Sequence, residues 1–171
     1  MLKNLHIKNL ALIREIDIDF TEGLNILTGE TGAGKSIIID SITMALGGKT
    51  PRNLLREDAP YGLVELVFCV DDPETIAELR EIDVEPEDGC VLIARKVMGT
   101  RSTCRINGET RTAADVRRAA SLLLDIHGQS EHQKLLLEEH QLALLDQYGG
   151  REVAALKADV AGKYRAWSDT R

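Results

Sequence analysis

The reading of the fold starts from Leu24-Asn25-Ile26-Leu27-Thr28-Gly29-Glu30-Thr31-Gly32-Ala33-Gly34-Lys35-Ser36-Ile37-Ile38-Ile39. A short apolar run ends at a glycine, Gly29 to Ser36 matches G-x-x-x-x-G-K-[ST] at every fixed position, and an apolar helical pattern comes next. The expected context is strand, loop, helix. Glycines are needed because the loop must turn its backbone N–H groups inward around phosphate oxygens, at distances a side chain would obstruct. The helix opening at Lys35 aims its partial positive end at the same anion. The Lys35 ammonium then reaches the β- and γ-phosphates, and Ser36 Oγ is placed to ligate Mg²⁺. Gly29, Glu30, Thr31, Gly32, Ala33, Gly34, Lys35 and Ser36 are therefore the candidate binding site for a nucleoside triphosphate.

Working outward, Leu5 and Ile7, then Ile16, Ile18 and Phe20, alternate as two strands of an opening hairpin, with residues 10–14 between them. Ile37, Ile38, Ile39, Ile42, Met44, Ala45 and Leu46 leave the loop's helix almost no polar face, which predicts a helix buried against a sheet and stopped at Gly47-Gly48. Residues 62–70 read as a strand, 73–82 as a short helix with Pro73 in its first turn, and 90–98 as another strand. Asn107-Gly108 is the strongest two-residue hairpin signal and turns 101–106 back on the residues after Gly108. Residues 112–120 read as a helix, 122–126 as a buried strand, and 130–147 as a helix capped by Ser130 and stopped at Gly149-Gly150. Along 151–171, Val153, Leu156, Val160, Tyr164 and Trp167 form one helical stripe. It is shorter than three heptads, and no glycine or proline stop ends it. On that stripe Tyr164 and Trp167 are expected to pack rather than to stack on bases.

Composition narrows the class. With 171 residues, 43% of them hydrophobic, the chain can bury one core, and its net charge of −7 argues against a surface cationic enough to bind nucleic acid over a whole face. Any DNA contact must be local. Arg95, Lys96, Arg101, Arg105 and Arg111 fall on the expected hairpin and its exit and form the candidate patch, although alternating charges also keep an edge strand soluble. Cys69, Cys90 and Cys104 lack paired CxxC spacing and are expected as reduced core thiols of a cytoplasmic protein. His127, His132 and His140 lack the spacing of a zinc helix. No apolar run has the length of a signal peptide or of a membrane span.

A phosphate-binding loop binds; hydrolysis also needs an acid at the end of a second strand to hold Mg²⁺ through water, and a further acid to position the attacking water. Asp71-Asp72 ends an apolar run, but Pro73 comes next, which favours a helix-opening turn. Asp125 also ends an apolar run, without a second carboxylate beside it. The glycine-rich signature with which ABC-type ATPases close the site from the opposing subunit is not found.

Three stretches together, residues 1–13, residues 23–40 and Asp125-Ile-His-Gly-Gln-Ser-Glu-His-Gln, resemble the bacterial RecN family, DNA repair proteins of the SMC type. The resemblance runs from Met1 to about Gly150. It implies an α/β P-loop fold of the ABC type: residues 1–149 as the N-terminal half of an SMC head, with a mixed sheet carrying antiparallel hairpins, and 150–171 as the start of a coiled coil. It implies ATP and Mg²⁺ as ligands, with Gln129 as the Q-loop residue toward Mg²⁺ and the attacking water, and Arg52 or Arg56 as the arginine offered to the nucleotide. The catalytic acid would lie in a C-terminal half of the same protein. The implied partners are that half, a second head in an ATP-bridged homodimer, and DNA, at a nucleoid-associated location. The alternative from the residues alone is a small self-contained P-loop kinase using Asp125 as its metal-linked acid.

Overall fold

The computed structural model describes residues 1–29, 34–50, 54–124, 141–142, 145–146 and 148–170. The chain divides into two compact units, Met1–Asp125 and Ile126–Arg171. The first unit contains strands β1 (Leu2–Leu10), β2 (Ile13–Asp19), β3 (Gly62–Cys69), β4 (Cys90–Met98), β5 (Arg101–Ile106) and β6 (Glu109–Arg111), and helices α1 (Lys35–Ala45), α2 (Pro73–Glu81) and α3 (Ala113–Leu123). The strands form one sheet in the order β2-β1-β3-β4-β5-β6, and every pairing in it is antiparallel.

Alternation explains which face is buried. Leu5 and Ile7 of β1, Val64, Leu66 and Phe68 of β3, and Val91, Ile93 and Val97 of β4 are buried on one side of the sheet, the side against which α1 packs on β1, β3 and β4. Lys8, Glu65, Lys96 and Arg105 alternate with them toward the opposite face, as the two-residue period of a strand requires. Turn chemistry fixes the register. Asn107 and Gly108 both take positive φ, 47° and 80°, the pairing a type I′ hairpin needs. Asn107 also accepts from Leu92 N–H at 2.8 Å and donates to the Glu85 carbonyl at 2.7 Å, tying the hairpin to its neighbours. The opening hairpin is tighter than expected: Leu10 pairs with Ile13, leaving Ala11 and Leu12 as the turn.

Helix ends obey local chemistry. Asp72 caps α2 by accepting from Thr75 N–H at 2.9 Å, with Pro73 in the first turn, so Asp71-Asp72 is the helix-opening turn. Thr112 and Asp115 form a reciprocal capping box on α3. At the end of α1, Gly47 N–H reaches Met44 O and Gly48 N–H reaches Thr43 O, the two bonds of a Schellman close. Gly47 has φ +91°, and a Cβ there would lie 2.6 Å from the Ala113 carbonyl oxygen. Only glycine lets α1 end this close to α3.

Three expectations are corrected. Residues 24–27 do not form a strand: none of the described strands pairs with them, and Leu24, Ile26 and Leu27 are exposed. An apolar run becomes a strand only where a partner satisfies its backbone. Second, α1 buries only Ile38, Ser41, Met44 and Ala45 and leaves Ile39 half exposed, because one side of it meets the sheet. Third, Leu122 and Leu123 belong to α3 rather than to a strand. They extend its apolar face beyond the buried Val116, Ala119 and Ala120 at helical spacing.

In the second unit, residues 141–142, 145–146 and 148 are helical, and α4 (Gly150–Asp169) comes after them. Lys157 pairs with Asp146 at 2.5 Å and Lys163 with Asp159 at 2.7 Å. Leu156, Val160, Tyr164 and Trp167 form an exposed stripe, with the Tyr164 and Trp167 rings 5.7 Å apart. Among the described residues no helix is long and apolar enough to cross a membrane.

Candidate functional site

The phosphate-binding loop is described at its two ends, and Glu30, Thr31, Gly32 and Ala33 lie outside the described residues. Gly29 and Gly34 take φ of 153° and 97°, so the chain enters and leaves the loop in conformations that side chains resist. Gly34 is the N-cap of α1, and its carbonyl accepts from Ile38 N–H at 3.0 Å. No side chain caps that end, and no acid stands in its first turn. The first N–H groups of α1 thus keep their partial positive charge for an anion. A carboxylate there would compete with phosphate. Lys35 Nζ donates to the Gly29 carbonyl, which places the ammonium across the two ends of the loop, while Ser36 lies on the first turn, exposed.

Behind the loop, Arg95 holds α1 from the sheet. It was a candidate DNA contact, and this is corrected: Arg95 is only 6% exposed. Its guanidinium donates to Met44 O at 2.6 Å, Gly48 O at 2.7 Å and Ser102 Oγ at 3.1 Å. The two carbonyls close the C-terminal end of α1, where a cation is favoured by the helix dipole. Arg95 therefore braces the helix whose other end closes the Gly29–Ser36 loop. The signal lay in the strand period: Val91, Ile93, Arg95 and Val97 share one phase, and the other three are core.

The remaining candidates separate. Arg111 donates to the Asp83 carbonyl at 2.7 Å and pairs with Glu109 at 2.9 Å, so it is not on the patch. Lys96, Arg101 and Arg105 stand exposed outside the α1 contact, since Met98 pairs with Arg101, Lys96 with Thr103 and Ala94 with Arg105. Lys96 lies over the Tyr61 ring at 4.3 Å. Arg56 is held by Asp58 in a two-point pair of 3.0 and 3.1 Å, which keeps its pKa raised and that of Asp58 lowered. Arg52, Asp125, Gln129 and the three histidines His127, His132 and His140 lie outside the described residues.

A charge cluster that sequence reasoning missed covers the outer face of β1. His6 Nδ1 meets Glu65 at 3.0 Å and Nε2 meets Glu15 at 3.2 Å, and Lys8 also grips Glu15 at 3.0 Å. The Glu65 carboxylate, with smaller help from Glu15, holds the His6 pKa above its ordinary value against the opposing effect of burial. The cluster ties three strands together. Glu65 lies 59 residues from His6, so only the β1–β3 register could reveal that member.

Comparison with known proteins adds the family. An AAA domain family matches residues 4–154. The DNA repair protein RecN of Bacillus subtilis is 39% identical over 168 residues, covering 96% of this chain and 29% of that protein. RecN of Rickettsia conorii is 34% identical over 171 residues, covering 100% of this chain and 31% of its own length. The chain thus spans about three tenths of these relatives. Among solved structures, the Pyrococcus furiosus Smc head domain with an extended coiled coil, bound to the C-terminal domain of ScpA, superimposes with a TM-score of 0.66 at 20% identity, covering 99% of this chain and 46% of that one. A structure from work on ATP-driven dimerization and DNA-stimulated activation of SMC ATPases gives a TM-score of 0.62 at 21% identity, covering 85% and 97%. The fold is that of an SMC-type ATPase head lobe. A small kinase has no support in it.

Proposed function

Because this chain belongs to the AAA domain family and matches RecN proteins over nearly its whole length, we propose that it is the ATP-binding N-terminal half of an SMC-type head in a DNA repair ATPase. The observation that carries the reading is the glycine-opened, uncapped N-terminus of α1 with Lys35 drawn across the Gly29 carbonyl. Gly29, Glu30, Thr31, Gly32, Ala33 and Gly34 offer backbone N–H groups to the phosphates. Lys35 neutralises the β- and γ-oxygens, and Arg95 keeps α1 in place behind them.

Mg²⁺ fits the Ser36 hydroxyl, with Gln129 as a further ligand by resemblance, and when bound it neutralises charge on the β- and γ-phosphates. This chain holds and orients ATP. The acid that positions water belongs to the C-terminal half, so the fragment alone hydrolyses ATP weakly or not at all. The exposed Leu24, Ile26, Leu27 and Ile39 form the apolar surface on which that half docks, turning 24–27 into a strand. Residues 1–149 are assigned to the head and 150–171 to the start of its coiled coil, with the stripe of Leu156, Val160, Tyr164 and Trp167 as the seam. ATP held between two such heads bridges them, and hydrolysis releases them, which couples nucleotide state to DNA engagement. Lys96, Arg101 and Arg105 are the DNA candidates; Arg52 or Arg56 is the arginine offered to the nucleotide.

The test is reconstitution. Supplying the C-terminal half should raise ATP hydrolysis well above that of either part. Lys35→Ala should weaken nucleotide binding by about tenfold or more, which is about 1.4 kcal/mol. Unchanged affinity in that variant, or full phosphotransfer to a small molecule by this chain alone, overturns the proposal.

A further inference from the structure

Cys69 and Cys90 stand directly opposite one another at the end of β3 and the start of β4, with their sulfurs 3.5 Å apart. Both are half-buried, whereas Cys104 is buried. The backbone around them defines the kind of pair. Val70 N–H bonds to the Gly89 carbonyl at 2.8 Å on the β4 side. Cys69 turns its own N–H to Met1 O at 2.8 Å and its carbonyl to the Met1 ammonium at 2.6 Å, on the β1 side. Cys69 and Cys90 are therefore a non-hydrogen-bonded antiparallel pair, the arrangement in which side chains approach most closely, with Cα atoms about 4.5 Å apart. That separation lies inside the range a disulfide spans, near its short limit.

We infer that Cys69 and Cys90 are a dithiol modification site that closes to a cross-strand disulfide by exchange with a low-molecular-weight disulfide of the glutathione class. One cysteine of the pair, as its thiolate, attacks one sulfur of the small disulfide, forming a mixed disulfide and expelling one small thiolate, which takes up the proton that cysteine gave up. The other cysteine then attacks the protein sulfur of that mixed disulfide, expelling the second small thiolate, which takes up its proton. Two protein thiols and one small disulfide become one protein disulfide and two small thiols, so atoms and electrons balance. The two thiols share a hydrogen bond in which either sulfur can donate, and that bond, with burial acting in the same direction, raises the Cys90 thiol above its ordinary range. The bond would close residues 70–89, including α2, into a covalent loop hanging from the β3–β4 ladder. The site is independent of the nucleotide loop.

The experiment exposes the whole chain to graded ratios of oxidised to reduced glutathione at mildly alkaline pH, then alkylates remaining thiols with N-ethylmaleimide in denaturant. Intact mass and non-reducing peptide maps are then read. The expected result is loss of two of the three alkylatable thiols in one step, with a Cys69–Cys90 linked peptide and Cys104 fully alkylated. Cys69→Ser and Cys90→Ser should each stop at a glutathione adduct on the remaining partner, with the circular dichroism spectrum of the wild type. Wild-type protein that accumulates a stable glutathione adduct without the cross-link, that links either residue to Cys104, or that stays fully reduced at ratios that oxidise a free dithiol overturns the inference.

Discussion

Replacing Arg95 by methionine isolates what the buried guanidinium does for α1. Methionine keeps much of the stem and removes three donated bonds, to Met44 O, Gly48 O and Ser102 Oγ. Met44 O retains the Gly47 N–H at 3.1 Å, so it is not orphaned. Gly48 O, which is only part-buried, loses the Arg95 donor, and its cost lies toward the low end of the about 1–3 kcal/mol of an unsatisfied buried carbonyl. Loss of a cation at the helix C-terminus costs up to about 2 kcal/mol more. Against this stands relief of burial: no carboxylate among the described residues pairs with Arg95, and its Nε has no partner, so methionine removes an incompletely compensated charge. The net is a loss of about 2 kcal/mol, or about 6–10 °C in Tm for a unit of this size. Thermal and urea unfolding should be run beside Arg95→Lys, which keeps the charge but not the planar fork, and Ser102→Ala, expected to cost only about 0.5–1 kcal/mol. Arg95→Lys should fall between them. A Tm for Arg95→Met within about 2 °C of wild type, or no lower than that of Ser102→Ala, would refute the brace and return Arg95 to a space-filling role.

Three further outcomes are expected. Gly47→Ala places a methyl group against the Ala113 carbonyl at φ +91° and should cost about 2 kcal/mol or more from left-handed strain and forced separation of α1 from α3; denaturant unfolding checks it. His6 has a folded pKa raised above its unfolded value, so its stabilisation is fully present below the unfolded pKa of about 6.5 and fades as pH rises through the folded value. Unfolding of His6→Gln against wild type should show a gap that shrinks above neutral pH, with an NMR titration of His6 displaced upward. Asp72→Ala should cost about 1 kcal/mol through loss of the α2 cap, and it should leave nucleotide affinity unchanged, since Asp72 serves the turn and not the metal.

Chemistry that is local in the chain could be read directly. The phosphate loop lies in one contiguous stretch because backbone amides, one ammonium and one helix end must meet a single ligand. Asn107-Gly108 announced its hairpin because the turn needs two positive φ angles in succession, and both are present. The strand alternation of β1, β3 and β4 likewise carried its own phase. The misread features depend on pairing. Whether residues 24–27 are a strand depends on an edge that no described strand supplies, and whether α1 is buried all round depends on what covers Ile39. Arg95 looked like one cation among several until its phase with Ile93 and Val97 placed it in the core. Cys69 and Cys90, distant in sequence and without CxxC spacing, became a pair only through the β3–β4 register.

These misreadings share a physical origin that bears on function. Leu24, Ile26, Leu27 and Ile39 are apolar positions whose solvent exposure conflicts with their composition, and they flank the phosphate loop on both sides in the chain. Large apolar side chains left in water at four such positions are costly. Under the proposed function, a C-terminal lobe that covers them would at once satisfy the backbone of 24–27, dehydrate the phosphate site and bring in the acid assigned to that lobe. Burial of these residues and completion of the ATPase site are then one event, so substitutions such as Ile26→Asp should reduce lobe association and hydrolysis together while sparing the fold of the six-stranded sheet, to which Ile26 contributes no strand.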